Sequence, residues 1–167
     1  MPPTSPDIWC RAAAPDDLPF ISGLLHGAYP DSKAGDLSPQ LASYSVAVAS
    51  GAGEIAGYGK LRHFTGMPGV PDGYYLGGVV VGPQWRRRGI GTLLTAHRVD
   101  AAWTAGADTV YYFANSQNEA SIAMHVGFGF RELQRPFTFP GVTFSGGIGV
   151  LFGLPRPSAL GLLTGQI

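Results

Sequence analysis

One segment constrains the fold more than any other: Val79-Val80-Val81-Gly82-Pro83-Gln84-Trp85-Arg86-Arg87-Arg88-Gly89-Ile90-Gly91-Thr92-Leu93-Leu94. A β-branched apolar run stops at Gly82-Pro83. Three arginines and two glycines follow, and then an apolar spacing that suits a helix. The order is a strand, a tight cationic turn and a helix N-terminus. The first backbone N–H groups of a helix have no internal acceptor, and the helix dipole favours an anion there. Gly89 and Gly91 carry no Cβ, so a phosphate can approach the main chain closely. The segment predicts a diphosphate cradle. The competing reading is a solvated crossover turn, and local composition alone leaves the two level. No Gly-Lys-Ser/Thr follows, and Gly-x-Gly-x-x-Gly is absent, so this is neither a P-loop nor the dinucleotide fingerprint.

The rest of the chain must cover such a strand on both faces. With 167 residues, 45% of them hydrophobic, one domain with a sizeable core is expected. Its core runs over about 8–153, with tails at 1–7 and 155–167. Charged residues make up 13%, against roughly 25% in ordinary domains. That low content is compatible with a homodimer interface. The formal net charge of +0 gives no reason to expect a nucleic acid or anionic membrane as partner. Cys10 is the single cysteine, so no internal disulfide or cysteine-based zinc site can form, and no metal is expected. Met1 to Pro6 lacks an apolar signal core and no run nears a membrane span, so the cytoplasm is the expected compartment.

Periodicity places the elements. Ile8 to Ala13 reads as a strand, and a helix follows from Pro15 with Asp16 and Asp17 at its positive end. A short helix is expected after Pro39. Ser43 to Ala49 and Glu54 to Phe64 read as a hairpin around residues 50–53. Tyr74 to Val81 is a near-continuous apolar strand, as for a central strand buried on both faces. The next helix is expected to bury Ile90, Leu93, Leu94, His97, Ala101 and Ala102. Thr109 to Ala114 is a strand, and the order strand, helix, strand implies a right-handed parallel crossover. Asn118 to Val126 reads as a helix. Phe130 to Phe139 and Gly147 to Phe152 read as closing strands.

A second segment fixes the reading: Asn118-Glu119-Ala120-Ser121-Ile122-Ala123-Met124-His125-Val126-Gly127-Phe128-Gly129-Phe130. With it, the chain resembles the GNAT superfamily of acyl-CoA N-acyltransferases. The family's Val-x-Pro followed by Gln/Arg-x-x-Gly-x-Gly/Ala stands here as Val81-Gly82-Pro83 and Arg86-Arg87-Arg88-Gly89-Ile90-Gly91. Its later Asn-x-x-Ala/Ser through Gly-Phe stands as Asn118, Ser121 and Gly129-Phe130. The resemblance implies an α/β (α+β) fold: a mixed central sheet of six to seven strands, splayed at the cofactor site and flanked by about four helices. It implies acetyl-CoA as cofactor and a primary amine as acceptor.

Roles follow by position. Main-chain amides of Arg86, Arg87, Arg88, Gly89, Ile90, Gly91 and Thr92 would hold the coenzyme A pyrophosphate. Val79, Val80 and Val81 would lie along the pantetheine arm, with an amide at Val79 directed at the thioester carbonyl. Asn118 would bond the pantetheine or hold the splayed strands, and Ser121 would lie near the phosphates. A solvated face is as good a reading for the Arg87 side chain, whereas Arg86 and Arg88 suit phosphates better.

The chain departs from the family twice. The tyrosine that protonates the departing thiolate in many members, seven residues after the asparagine, is replaced by His125. A histidine can do that work near neutral pH. Packing alone is the competing role, with Tyr111 or Tyr112 as substitutes on opposite sides of their strand. The strand Tyr74 to Val81 also holds no acidic residue, leaving His63 and Asp72 as nearby candidates for a base and Glu54 as a hairpin charge. The acceptor wall is expected from Tyr29, Asp31, Lys33 and Asp36 together with Phe137, Phe139, Val142 and Phe144. This set favours a small-molecule amine with an apolar body. Protein or peptide N-acetylation and a non-catalytic acyl-CoA sensor or scaffold are the alternatives.

Overall fold

The computed structural model describes residues 7–49 and 53–158. Seven strands form one mixed, open sheet: β1 (Ile8–Ala12), β2 (Tyr44–Ala49), β3 (Glu54–Phe64), β4 (Gly73–Val81), β5 (Thr109–Asn115), β6 (Arg131–Gln134) and β7 (Gly149–Pro155). Their spatial order is β1-β2-β3-β4-β5-β7-β6. Three α-helices are described, α1 (Leu18–Ala28), α2 (Ile90–Thr104) and α3 (Glu119–Phe128). The short helix expected after Pro39 is a 3-10 segment, Ser38–Ser43, and two further 3-10 turns precede α1 and α2. The chain packs as two compact units, Met1–Arg62 with Leu76–Asp100, and His63–Tyr75 with Ala101–Ile167.

In the first unit β1 and β3 flank β2 in antiparallel pairs, with Val46 opposite Arg11 on one side and Tyr58 on the other. Every residue of β2 is buried, as a strand covered on both faces must be. Alternation divides the side chains between two clusters. Val46, Val48, Ile55, Tyr58 and Val80 pack with Ile21 of α1. Ala47, Ala49 and Ala56 pack with Trp85, Ile90 and Leu94 around the start of α2. Arg11 ties β1 to the approach to α1 through both oxygens of Asp17, at 2.6 and 3.0 Å. Asp17 also accepts the Ala14 N–H at 2.7 Å, so this acidic residue caps a turn as well as facing the helix start.

The buried stripe of α2 differs from the expected one. Ile90, Leu94, Thr95, Arg98, Val99 and Ala102 are buried, whereas Leu93 is 37% exposed and Ala101 is exposed. The sequence reading followed apolar residues and passed over the arginine. Position 98 lies four residues after Leu94 and eight after Ile90, on the covered face.

In the second unit the start of β4 runs parallel to β5, with Tyr74 opposite Val110 and Tyr75 opposite Tyr111. β5 and β6 flank β7 in antiparallel pairs. Tyr75, Phe137 and Leu151 form a core with Phe64, Tyr111, Phe113 and Phe139. Two expected boundaries move. The strand expected over Phe130 to Phe139 is only β6, because Pro136 and Pro140 cannot donate ladder bonds. β7 runs on to Pro155, and the Arg156 N–H bonds the Asp108 carbonyl, so the expected tail begins later. Most of both expected tails and the hairpin turn at 50–52 lie outside the described residues.

Candidate functional site

In the first unit the end of β4 leads into the cationic turn. Val80 packs toward α1, while Val79 and Val81 pack toward Trp85, Ile90 and Leu94. Gly78 is exposed within an otherwise covered strand, and a Cβ there would meet nothing within 4 Å. Pro83–Trp85 forms one 3-10 turn, anchored by the Gly82 N–H to the Ala56 carbonyl at 2.8 Å. Trp85 is buried beneath it, and its Nε1 donates to Glu54 at 3.3 Å. Gln84 donates to the same carboxylate oxygen at 2.9 Å, so Glu54 pins the turn rather than merely decorating the hairpin.

Arg86, Arg87 and Arg88 are all exposed, and among the described residues none pairs with a carboxylate. Arg88 lies over the Trp85 ring at 5.0 Å, which holds its charge at the turn. Arg87 has φ 64° and Gly89 φ 73°, so the chain turns twice through the left-handed region in three residues. The Leu93 N–H reaches back to the Gly89 carbonyl at 3.0 Å. The amides before it belong to the first turn of α2, where no intrahelical acceptor exists. Gly91 is in helical conformation, and a Cβ there would touch nothing of the protein within 4 Å. The packing of the chain therefore does not demand a glycine at 91. Its bare main chain, beside three unpaired guanidinium groups, fits a diphosphate.

Beside this strand end, Gly23, Leu24, Gly27 and Ala28 of α1 face Val80, Val81, Pro83 and Arg86 across a cavity of about 130 Å³. Its lining is apolar except for Arg86.

In the second unit β5 and α3 carry the remaining candidates. Tyr111 and Tyr112 point to opposite sides of β5. Tyr111 stacks on Tyr75 at 5.0 Å, and Tyr112 stacks on His125 at 3.5 Å with the rings 4° from parallel. His125 is 4% exposed, and its Nδ1 lies 2.7 Å from the Ser121 carbonyl, to which it donates. Tyr112 bonds the Ser121 hydroxyl, and burial raises its phenol above the ordinary value, so it keeps its proton at neutral pH. Asn118 precedes α3, and its carbonyl accepts the Ile122 N–H at 3.1 Å. Gly129, at φ 123°, ends the helix and turns Phe130 into the core, 2% exposed.

His63, Asp72 and Tyr111 come together in an open cleft of about 560 Å³ with Tyr74 and Asp108. His63 packs on Tyr74, and Asp72 accepts the Gly66 N–H at 2.8 Å. The cleft sits at the first residues of β4, five positions before Val79 in the chain. The aromatic acceptor wall needs correction. Phe137 is 1% exposed and belongs to the core, and Phe139, half-buried, stacks on Phe113 at 4.7 Å against that core. The expected wall follows from a closing strand over Phe130 to Phe139, whereas β6 ends at Gln134 and Phe137 is buried. Among the described residues there is no cluster of three potential metal ligands and no helix long and apolar enough to cross a membrane.

Comparison with known proteins agrees with this geometry. A curated relative, the [ribosomal protein bS18]-alanine N-acetyltransferase of Salmonella typhimurium, is 35% identical over 63 residues, 38% of this chain and 43% of that protein. The chain thus spans less than half the length of that relative. Among solved structures, the NatC complex bound to Gag peptide and CoA aligns with TM-score 0.70 and 18% identity, over 90% of this chain and 99% of that one. The protein yncA from Salmonella typhimurium, solved with its cofactor acetyl-CoA, aligns with TM-score 0.68 and 23% identity, over 92% of this chain and 99% of that one. At such identities the structures speak for the fold. The family profile goes further: the acetyltransferase (GNAT) family matches residues 16–130, which span the cationic turn and the Asn118 to Phe130 segment, and the chain belongs to that family.

Proposed function

We propose that the protein transfers an acetyl group from acetyl-CoA directly to the primary amine of a small molecule. The observation that carries this reading is the bare, cationic main chain from Arg86 to Thr92 beneath three unpaired arginines. Acetyl-CoA, when bound, supplies the activated acetyl group. The amides of Arg88 to Thr92 hold its diphosphate, and Arg86 and Arg88 add charge. The main chain at Gly78, which is exposed, and at Val79 would receive the arm, and the Val79 N–H would donate to the acyl oxygen as negative charge builds there. Holding donor and amine together removes most of the entropic cost of their encounter. Tyr112, protonated and bonded to the Ser121 hydroxyl, is assigned as proton donor, with His125, held through Nδ1 by the Ser121 carbonyl, as the alternative. No covalent enzyme intermediate is required.

The small acceptor is supported by the roughly 130 Å³ apolar cavity beside Val80 and Val81. The second reading, acetylation of a protein N-terminus, is favoured by the similarity to an alanine N-acetyltransferase. Thiol release from acetyl-CoA, measured against small amines, amino acids and alanine-initiated peptides, separates the two. Turnover on small amines is the expected result. Turnover confined to peptides overturns the small-molecule assignment. Tight coenzyme A binding without turnover on any acceptor points to a sensor.

A further inference from the structure

The largest fully buried side chain among the described residues is a cation, Arg98, at 0% exposure. Its Nη1 donates to the Lys60 carbonyl of β3 at 2.9 Å and to the Gly77 carbonyl of β4 at 3.0 Å. Nε donates to the Leu94 carbonyl at 3.1 Å, and Nη2 to the Thr95 hydroxyl at 3.3 Å. Among the described residues no carboxylate pairs with it; both ion pairs lie elsewhere. Cys10 is the nearby titratable group, and burial pushes its thiol up to about 11, so it offers no anion. Burial brings the guanidinium down to about 10, which leaves it charged at neutral pH. A buried, uncompensated charge is expensive, and an apolar side chain of similar size would stabilise the fold more simply.

One strand glycine is fitted to this arginine, and a second to the neighbouring strand. A Cβ at Gly59 would lie 2.8 Å from Nε of Arg98, and one at Gly77 would lie 2.9 Å from the Lys60 Cβ. Glycine weakens a strand interior, so β3 gives up rigidity at Gly59 to admit the guanidinium, and β4 does so at Gly77 to lie close to Lys60. The clamp falls on the softest stretch of β4, the pair Gly77-Gly78, directly before Val79. Donors that stabilise developing charge act through preorganisation, which two successive glycines alone cannot provide.

We propose that Arg98 is a positioning residue for acyl transfer. By holding the Gly77 carbonyl beside that of Lys60, it fixes the Gly77–Gly78 peptide, the unit directly before the one whose Val79 N–H meets the acyl oxygen. This rests on the reading of Val79 given above.

The test uses acetyl-CoA labelled with 13C at the acyl carbonyl. Infrared difference spectra report hydrogen bonding to that carbonyl, and calorimetry gives the affinities for acetyl-CoA and coenzyme A. In the wild type the carbonyl stretch moves down on binding. Arg98→Met is expected to lose most of that shift and to lower the preference for acetyl-CoA over coenzyme A by about fivefold or more. Coenzyme A itself should bind within about threefold of wild type, because the diphosphate turn is untouched. Arg98→Lys, which keeps a donor and the charge, should restore part of the shift. Gly59→Ala displaces the guanidinium while leaving it in the chain, and should act like Arg98→Met even if that variant folds poorly. Val99→Ala, a nearby core truncation, should lose stability and keep the shift. An unchanged shift and preference in folded Arg98→Met or Gly59→Ala overturns the positioning role alone. A wild type that binds acetyl-CoA without any carbonyl shift overturns the Val79 reading and this inference with it.

Discussion

Tyr112 and His125, two residues able to donate a proton, are both held by Ser121. His125 satisfies the Ser121 carbonyl through Nδ1, while Tyr112 bonds the Ser121 hydroxyl. His125→Phe keeps the stacked ring but leaves that carbonyl without the imidazole N–H. We expect it to lower stability by about 1–2 kcal/mol in urea titrations, with kcat changed by less than about threefold. Tyr112→Phe keeps the packing and removes the proton, so kcat should fall about tenfold or more at similar KM. The opposite ranking in steady-state kinetics would return the acid role to His125. The bond that holds the His125 ring is invisible in the sequence, because it depends on an acceptor one helical turn away. Cys10 gives a second prediction at this scale. Its thiol is half-buried and raised to about 11 by desolvation. Its reaction with a disulfide reagent at slightly alkaline pH should be on the order of 100-fold slower than that of a free thiol, because so little thiolate is present. A rate near the free-thiol value would refute the desolvated environment.

At the scale of elements, the cationic turn separates folding from binding. Gly89 needs its glycine for conformation, at φ 73°, so Gly89→Ala should lower the thermal midpoint, costing about 1–2 kcal/mol. Gly91 has helical geometry and open space where a Cβ would stand. Gly91→Ala should therefore leave the protein as stable or raise stability by up to about 1 kcal/mol, yet weaken coenzyme A binding about tenfold or more by filling the cradle. Calorimetric titration beside a melting curve checks both halves of that expectation. Unaltered affinity in Gly91→Ala would remove the diphosphate from this turn. This turn was legible in the sequence because its constraints are local: a β run, Gly-Pro, and glycines at fixed spacing from a helix start. β3 was legible to the residue for the same reason, with Glu54 and Phe64 as its ends. The buried stripe of α2 was not, because Arg98 enters the core only where Gly59 leaves room for it and the Gly77 carbonyl accepts its N–H. Those glycines lie 39 and 21 residues away in the chain, and no local pattern joins them. The segment after β6 misled for a related reason. Its alternating Phe residues suit a strand, but Pro136 and Pro140 break the ladder and Phe137 turns inward.

Across the whole molecule, charge is scarce, so few groups can make stability depend on pH. Asp17 is the single buried carboxylate among the described residues, at 6% exposure. The bidentate bond from Arg11 holds its carboxyl below the ordinary value of 3.8, and the Ala14 N–H lowers it further against the opposing effect of burial. The native state therefore binds fewer protons than the unfolded chain in the window just below that value. Asp17's contribution is fully present above the ordinary carboxylate value and is lost as pH falls through its lowered native one. Asp36 is lowered too, by Ser38, but lies fully exposed and adds little. The Arg11 side chain is 40% exposed, so solvent screens part of the attraction. Asp17→Asn should then cost about 1–2 kcal/mol at neutral pH. The gap between variant and wild type should narrow as the buffer is taken toward about pH 3, because protonation removes from the wild type what the substitution removed from the variant. Urea titrations of both proteins across that range measure the gap directly. A constant gap would mean that Asp17 holds β1 to α1 by packing and neutral hydrogen bonds alone, and that acid unfolding begins elsewhere in the molecule.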